Sequence, residues 1–137
     1  MELKFLSVRE VSGKAVNTPA KVSRLMAKEA QIDRECFWVL HLNTSHRIIE
    51  KELVSIGTVA FCLVHAREVF KKAILNGATA IIIVHNHPGG TAQPSKDDKI
   101  VWKYLDGSGK LLGIEVLDHM IITHSDGYYS RLEAVDL

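Results

Sequence analysis

The stretch "ATAIIIVHNHPGGTAQPSKDD", residues 78–98, changes character twice. It opens on a continuous apolar run of strand length, the pattern of a strand covered on both faces. A loop rich in Pro and Gly follows over residues 88–94, and a helix begins near Ser95. A doubly covered strand leading into a helix sets the fold class as α/β, with helices on both sides of the sheet.

The flanking segments agree with that reading. Residues 3–10, "LKFLSVRE", form a short first strand. In "NTPAKVSRLMAKEA" (17–30), Thr18 is placed to cap a helix with Pro19 at its first position. Val22, Leu25, Met26 and Ala30 give that helix one apolar stripe. "ECFWVLHL" (35–42) and "RIIEKELVS" (47–55) are strands joined by "NTSH", an antiparallel hairpin. "AREVFKKAIL" (66–75) is a helix with Val69, Phe70, Ala73 and Ile74 on one side, stopped by Asn76-Gly77. The helix from Ser95 has Ile100, Val101, Tyr104 and Leu105 as its stripe. Gly107 and Gly109, each costing about 1 kcal/mol against alanine, are expected to fray or break it before Leu112. "IEVLDHMIIT" (114–123) is another apolar strand, and "SDGYYS" (125–130) an Asp-Gly turn into a short last one. The sum is one α/β domain over residues 1–137 with a mixed sheet flanked by helices.

Bulk composition narrows the function classes. The chain has 137 residues, enough for one compact domain with a real core, and is 47% hydrophobic and 24% charged. Its net charge is +1, without the basic excess of a typical nucleic-acid binder. "MELKFLSVRE" has no apolar leader region, and no run approaches membrane-spanning length. Cys36 and Cys62 lie in apolar contexts and read as buried free thiols of a reducing compartment, so the expected location is cytoplasmic. "GSGK" (107–110) is not a phosphate loop: Tyr104 stands in place of the first glycine and Leu111 in place of the Ser/Thr.

Chemistry concentrates where the strand ends. In an extended chain His85 and His87 share a face, and a helix starting at Ser95 puts Asp98 in its first turn. Two imidazoles and a carboxylate suit zinc, and three protein ligands leave the open position of a catalytic site. The competing reading is that Ser95 and Asp98 cap the helix and nothing more. Capping leaves two histidines at alternate positions unexplained, and spacing by itself leaves both readings open.

"HNHPGGTAQPSKDD" (85–98) resembles the His-x-His-Pro…Ser-x-x-Asp pattern of the JAMM (MPN/JAB) metalloproteases. More closely, the chain resembles the RadC family over residues 36–130, with further matches in "GTVAFCLVHAREVFKKAI" (57–74) and "LLGIEVLDHMII" (111–122). The resemblance implies a curved mixed sheet in a layout like that of cytidine deaminases. It implies a zinc ion on His85, His87 and Asp98, with Ser95 steadying an oxyanion. It also implies an upstream glutamate as general base. Glu50 and Glu52 both qualify by strand alternation, and the family's spacing ahead of a Gly-Thr pair selects Glu52, in "ELVSIGT" (52–58). The reaction implied is zinc-dependent hydrolysis of a peptide or isopeptide bond in a peptide or protein substrate of unknown identity.

The chain departs from the family at Gly89, where serine is common, and it holds no helix-hairpin-helix region, so a nucleic-acid partner is not expected. A membrane partner is not expected either, and exposed edge strands would permit a dimer. Alternatives are a hydrolase or deaminase of small molecules, a non-catalytic MPN-type interaction module and a DNA-repair accessory. Deaminases of this layout use cysteine ligands, which this chain lacks in any such motif. The nucleases named HNH draw those residues from separate segments, so here Asn86 reads as a brace bonding backbone groups. Asp118-His119 reads as a satisfied core or edge pair, and His41, His46, His65 and His124 as surface residues.

Overall fold

The computed structural model describes residues 15–57, 64–125 and 127–135. The expected strand at 3–10 and Cys62 lie outside them. Thr18 does cap helix α1 (Pro19–Leu25), its side chain accepting from the Lys21 amide, and Pro19 takes a first-turn position where no N–H is needed. A single 3₁₀ turn, Glu29–Gln31, carries the chain on to strand β1 (Cys36–Leu42).

Strand β1 and strand β2 (Ile48–Ile56) form the expected antiparallel hairpin. Asn43 organises its turn: the Asn43 carboxamide oxygen accepts from the amides of Ser45 at 2.9 Å and Arg47 at 3.0 Å. Helix α2 (Ala66–Leu75) follows, then strand β3 (Ala80–Asn86), helix α3 (Lys96–Leu112), strand β4 (Glu115–Ile122), strand β5 (Tyr128–Ser130) and helix α4 (Arg131–Val135). The sheet order is β2-β1-β3-β4-β5. Among the described strands only β3 and β4 run parallel, because α3 is the crossover between them; the other pairs are antiparallel.

Strand β3 is central and every one of its residues is buried, as its unbroken apolar run demands. Two apolar clusters sandwich the sheet. On one face Trp38, Leu40, Ile82, Val84 and Met120 meet Val22 of α1 and the neighbouring Met26. On the other, Phe37, Val39, Ile81 and Ile83 meet Val69, Phe70 and Ala73 of α2 and Val101 and Leu105 of α3.

Three expectations are corrected in the helices. Ile74 is half exposed, so α2 buries a narrower stripe than its sequence offers. In α3, Ile100 and Tyr104 face out and Trp102 faces in; the Tyr104 hydroxyl instead accepts from the Ala66 amide, satisfying a free donor at the start of α2. Finally, α3 does not break at its glycines. A Cβ on Gly109 would lie 2.5 Å from the Ile114 carbonyl oxygen and 3.1 Å from Val116 Cγ2, so glycine is what lets the helix pass against β4. Gly113 then ends it in a left-handed conformation at φ 74°. Among the described residues no helix is long and apolar enough to cross a membrane.

Candidate metal centre

The end of β3 and the start of α3 meet. Asp98 sits in the first turn of α3 and is buried there by a reciprocal cap: the Ser95 hydroxyl oxygen accepts from the Asp98 amide at 3.0 Å, and the Ser95 amide donates to Asp98 Oδ2 at 2.8 Å. Ser95 and Asp98 therefore do cap the helix, and the cap leaves room for a site. The same cap aims the rest of the carboxylate at the histidines. His85 Nε2 lies 3.3 Å from Asp98 Oδ1, His87 Nε2 lies 3.4 Å from Asp98 Oδ2, and the two Nε2 atoms are 3.0 Å apart. Ligand atoms on a tetrahedral zinc ion stand about 3.3–3.5 Å from one another, given bonds of about 2.0–2.1 Å. Both histidine-to-Asp98 separations fall in that range, and the 3.0 Å between the imidazoles is slightly shorter.

The tautomer fits as well. His87 Nδ1 lies 2.8 Å from the Thr91 carbonyl oxygen, which can only accept. In the neutral ring the proton is thus on Nδ1, and Nε2 offers its lone pair to the cluster. His85 is buried against the ring of Phe37, with centroids 6.3 Å apart and planes 12° from parallel. Its Nδ1 is buried without a hydrogen-bond partner. Nε2 is its only engaged nitrogen, and that atom points at His87 and Asp98.

The electrostatics suit a cation. Burial pushes the Asp98 carboxyl up, but the hydrogen bonds from His85 and His87 outweigh it and hold the group well below the usual carboxylate range. The Asp98 bond raises the His87 pKa against burial, helped by the Thr91 carbonyl and the Glu35 charge. Without a metal, this focus attracts a proton to the position where a metal would bind.

Sequence reasoning missed Glu35 here. Glu35 Oε1 is 3.7 Å from His87 Nε2, and Glu35, His85 and His87 form a group whose ligand atoms all lie within 4.8 Å of one another, able to hold a metal ion. Glu35 directly precedes β1, whose Phe37 pairs with His85. The antiparallel register therefore carries Glu35 alongside His87. The signal was present, but it needed β1 to be paired with the motif strand as well as with β2.

Glu52 is corrected in the same step. It pairs with Val39, which pairs with Ile83, so Glu52 is two strands away and two residues short of His85. Its carboxylate lies 2.9 Å from His41 Nε2. His41, expected at the surface, is wholly buried, with Nδ1 facing Asn76 Nδ2 at 2.9 Å. Glu50 is not a spare charge either: it pairs with Lys72 at 2.7 Å, and that contact lowers its pKa.

Asp118 and His119 are a satisfied pair in part. Asp118 accepts from the His119 and Leu132 amides and from the Ser130 hydroxyl. His119 Nε2 lies 2.8 Å from Asp106 Oδ1, and its ring stacks on Trp102 at 5.2 Å. Cys36 is buried and free, and burial raises its pKa, as expected of an inert core thiol.

Comparison with known proteins shows the family. The model of the RadC-like JAB domain matches residues 16–135. The chain belongs to the RadC-like JAB domain family. A UPF0758 protein of Finegoldia magna is 48% identical over 118 residues, covering 85% of this chain and 53% of the relative. Another from Rubrobacter xylanophilus is 43% identical over 130 residues, covering 93% and 56%. A third, from Methanosarcina mazei, is 43% identical over 119 residues, covering 86% and 51%. The chain spans about half the length of the curated relatives it matches.

Proposed function

We propose that the chain is a zinc-dependent hydrolase acting on peptide or isopeptide bonds of a protein or peptide substrate. The observation that carries this reading is the convergence of His85, His87 and Asp98 at 3.0–3.4 Å with the Glu35 carboxylate beside them.

His85, His87 and Asp98 would hold the zinc, which supplies a water of lowered pKa and polarises the substrate carbonyl when bound. Glu35, rather than Glu52, is the base of this reading. Its carboxylate takes the proton of the attacking water and returns it to the leaving amine. Ser95 uses its oxygen to accept from the Asp98 amide, so its O–H remains to donate to the developing oxyanion. His87 keeps its ring orientation through the Thr91 carbonyl.

The test is metal content by elemental mass spectrometry on protein purified without an affinity tag, followed by cleavage assays on peptide and isopeptide panels. We expect close to one zinc per chain, lost in His87→Ala and Asp98→Ala. Glu35→Gln should retain the metal and lose about 10²-fold or more in turnover, the scale of a lost general base. Glu52→Gln should leave turnover intact. A folded protein that takes up no zinc would sink the reading.

A further inference from the structure

The middle residue of the His-Asn-His run has its own partners. Asn86 is fully buried, and alternation along β3 sends its side chain to the face opposite His85 and His87. There its carboxamide directs all its bonds to a single segment. The side-chain oxygen accepts from the Cys36 amide at 2.7 Å. The side-chain nitrogen donates to the carbonyls of Ile32 at 3.0 Å and Arg34 at 2.8 Å. Those partners, at 32, 34 and 36, bracket Glu35 on both sides.

Elsewhere the segment is held through backbone groups: the Ile32 amide donates to the Glu29 carbonyl at 3.2 Å, and Cys36 opens β1 opposite Ile56. Ile32, Asp33 and Arg34 are exposed and belong to no strand or helix. The Glu35 carbonyl accepts from the Gly57 amide at 2.7 Å, on the side facing β2. Among the described residues, the side-chain hydrogen bonds that fasten 32–36 to the histidine strand come from Asn86, which is bonded covalently to both histidines.

We propose that Asn86 is a positioning residue, setting where the Glu35 carboxylate stands relative to His85 and His87 through its three bonds to the 32–36 backbone. The proposal rests on the assignment of Glu35 to the metal centre. A generic brace would need only some buried hydrogen bonds; this one spans the two chain segments that meet at the site, at the one residue shared by both imidazoles as a neighbour. Alanine would free the segment, while aspartate would set a carboxylate oxygen against the two carbonyls. Serine reaches at most one of the three groups.

The experiment loads the purified protein with cobalt(II) and compares visible absorption spectra for the wild type, Asn86→Ala, Glu35→Gln and the double variant. Cobalt titrations and thermal melts run alongside, and Asn86→Ser stands in if the alanine variant does not fold. We expect Asn86→Ala to alter the cobalt bands in the same manner as Glu35→Gln, with no further change in the double variant. Cobalt affinity should fall by less than about tenfold, below the usual loss for a side chain bonded directly to a ligand. A wild-type spectrum in Asn86→Ala beside an altered one in Glu35→Gln would overturn the proposal, leaving Asn86 as a fold brace, and so would additive changes in the double variant. A wild-type spectrum in Glu35→Gln would remove Glu35 from the metal centre, and the role of Asn86 with it. Failure to take up cobalt at all would instead refute the metal centre itself.

Discussion

His119 has the environment of a group that resists charging. Burial lowers its pKa to about 4, against the pull of the Asp106 carboxylate toward the charged form. The unfolded chain takes up this proton near 6.5, the folded one only near 4. Between those values the unfolded state binds more protons, so stability falls as pH drops through that window and levels below it. The loss amounts to at most about 3 kcal/mol. Urea denaturation at several pH values from about 4 to 7 should show this slope in the wild type and a shallower one in His119→Gln; equal slopes would refute the assignment. At this scale the sequence was partly legible. That His85, His87, Ser95 and Asp98 come together is legible because they lie within one strand-loop-helix passage, where local periodicity fixes relative direction; their roles are implied by the resemblance alone. Glu35 was not legible, because its position depends on a strand pairing between segments 50 residues apart in the chain. The family's spacing ahead of a Gly-Thr pair selects Glu52, and such spacing does not tell which end of the neighbouring strand a side chain reaches.

Helix α3 carries both the Asp98 cap and the close pass at Gly109, and the two glycines in its C-terminal half have opposite environments. Gly107 is exposed, and a Cβ placed there would meet nothing within 4 Å, whereas Gly109 is buried against the Ile114 carbonyl. Gly107→Ala should therefore raise stability by up to about 1 kcal/mol through helix propensity. Gly109→Ala should lower it by about 1–3 kcal/mol, the range for overpacking a filled site. Chemical denaturation of the pair measures both, and equal effects would contradict the contact. The expected fraying of α3 came from counting both glycines as helix breakers. Propensity is a weak local term, and the tertiary approach of β4 overrides it. Strands were more legible than helix faces for a related reason: a doubly buried strand has no face to misassign, while a helical stripe one residue off still satisfies the same spacing. Tyr104 shows this, having been read as core when its hydroxyl serves the start of α2.

At the scale of the molecule, the proposed metal ties the central strand to the crossover helix, and any ligand that binds only the folded state stabilises it by mass action. Zinc at about one hundred times its Kd should add about 2.7 kcal/mol, seen as a concentration-dependent rise in melting temperature that a chelator reverses and Asp98→Ala abolishes. The gain should shrink as pH falls, because the His87 proton favoured by Asp98 must leave before metal enters. An unchanged melting temperature at saturating zinc would count against the site.

The supports beneath the site differ in stiffness. His85 rides on a strand buried along its whole length and bonded on both edges, with His87 directly after it. Asp98 hangs from a helix cap, and Glu35 from the loop that enters β1, tied to the histidine strand by the Asn86 carboxamide. The proposed centre is thus a jaw with one side set in the sheet and the others set by a helix cap and a loop. In that reading the cap on Asp98 decides how far the jaw closes on a cation, the 32–36 segment decides where the base stands, and the histidine strand is the anvil.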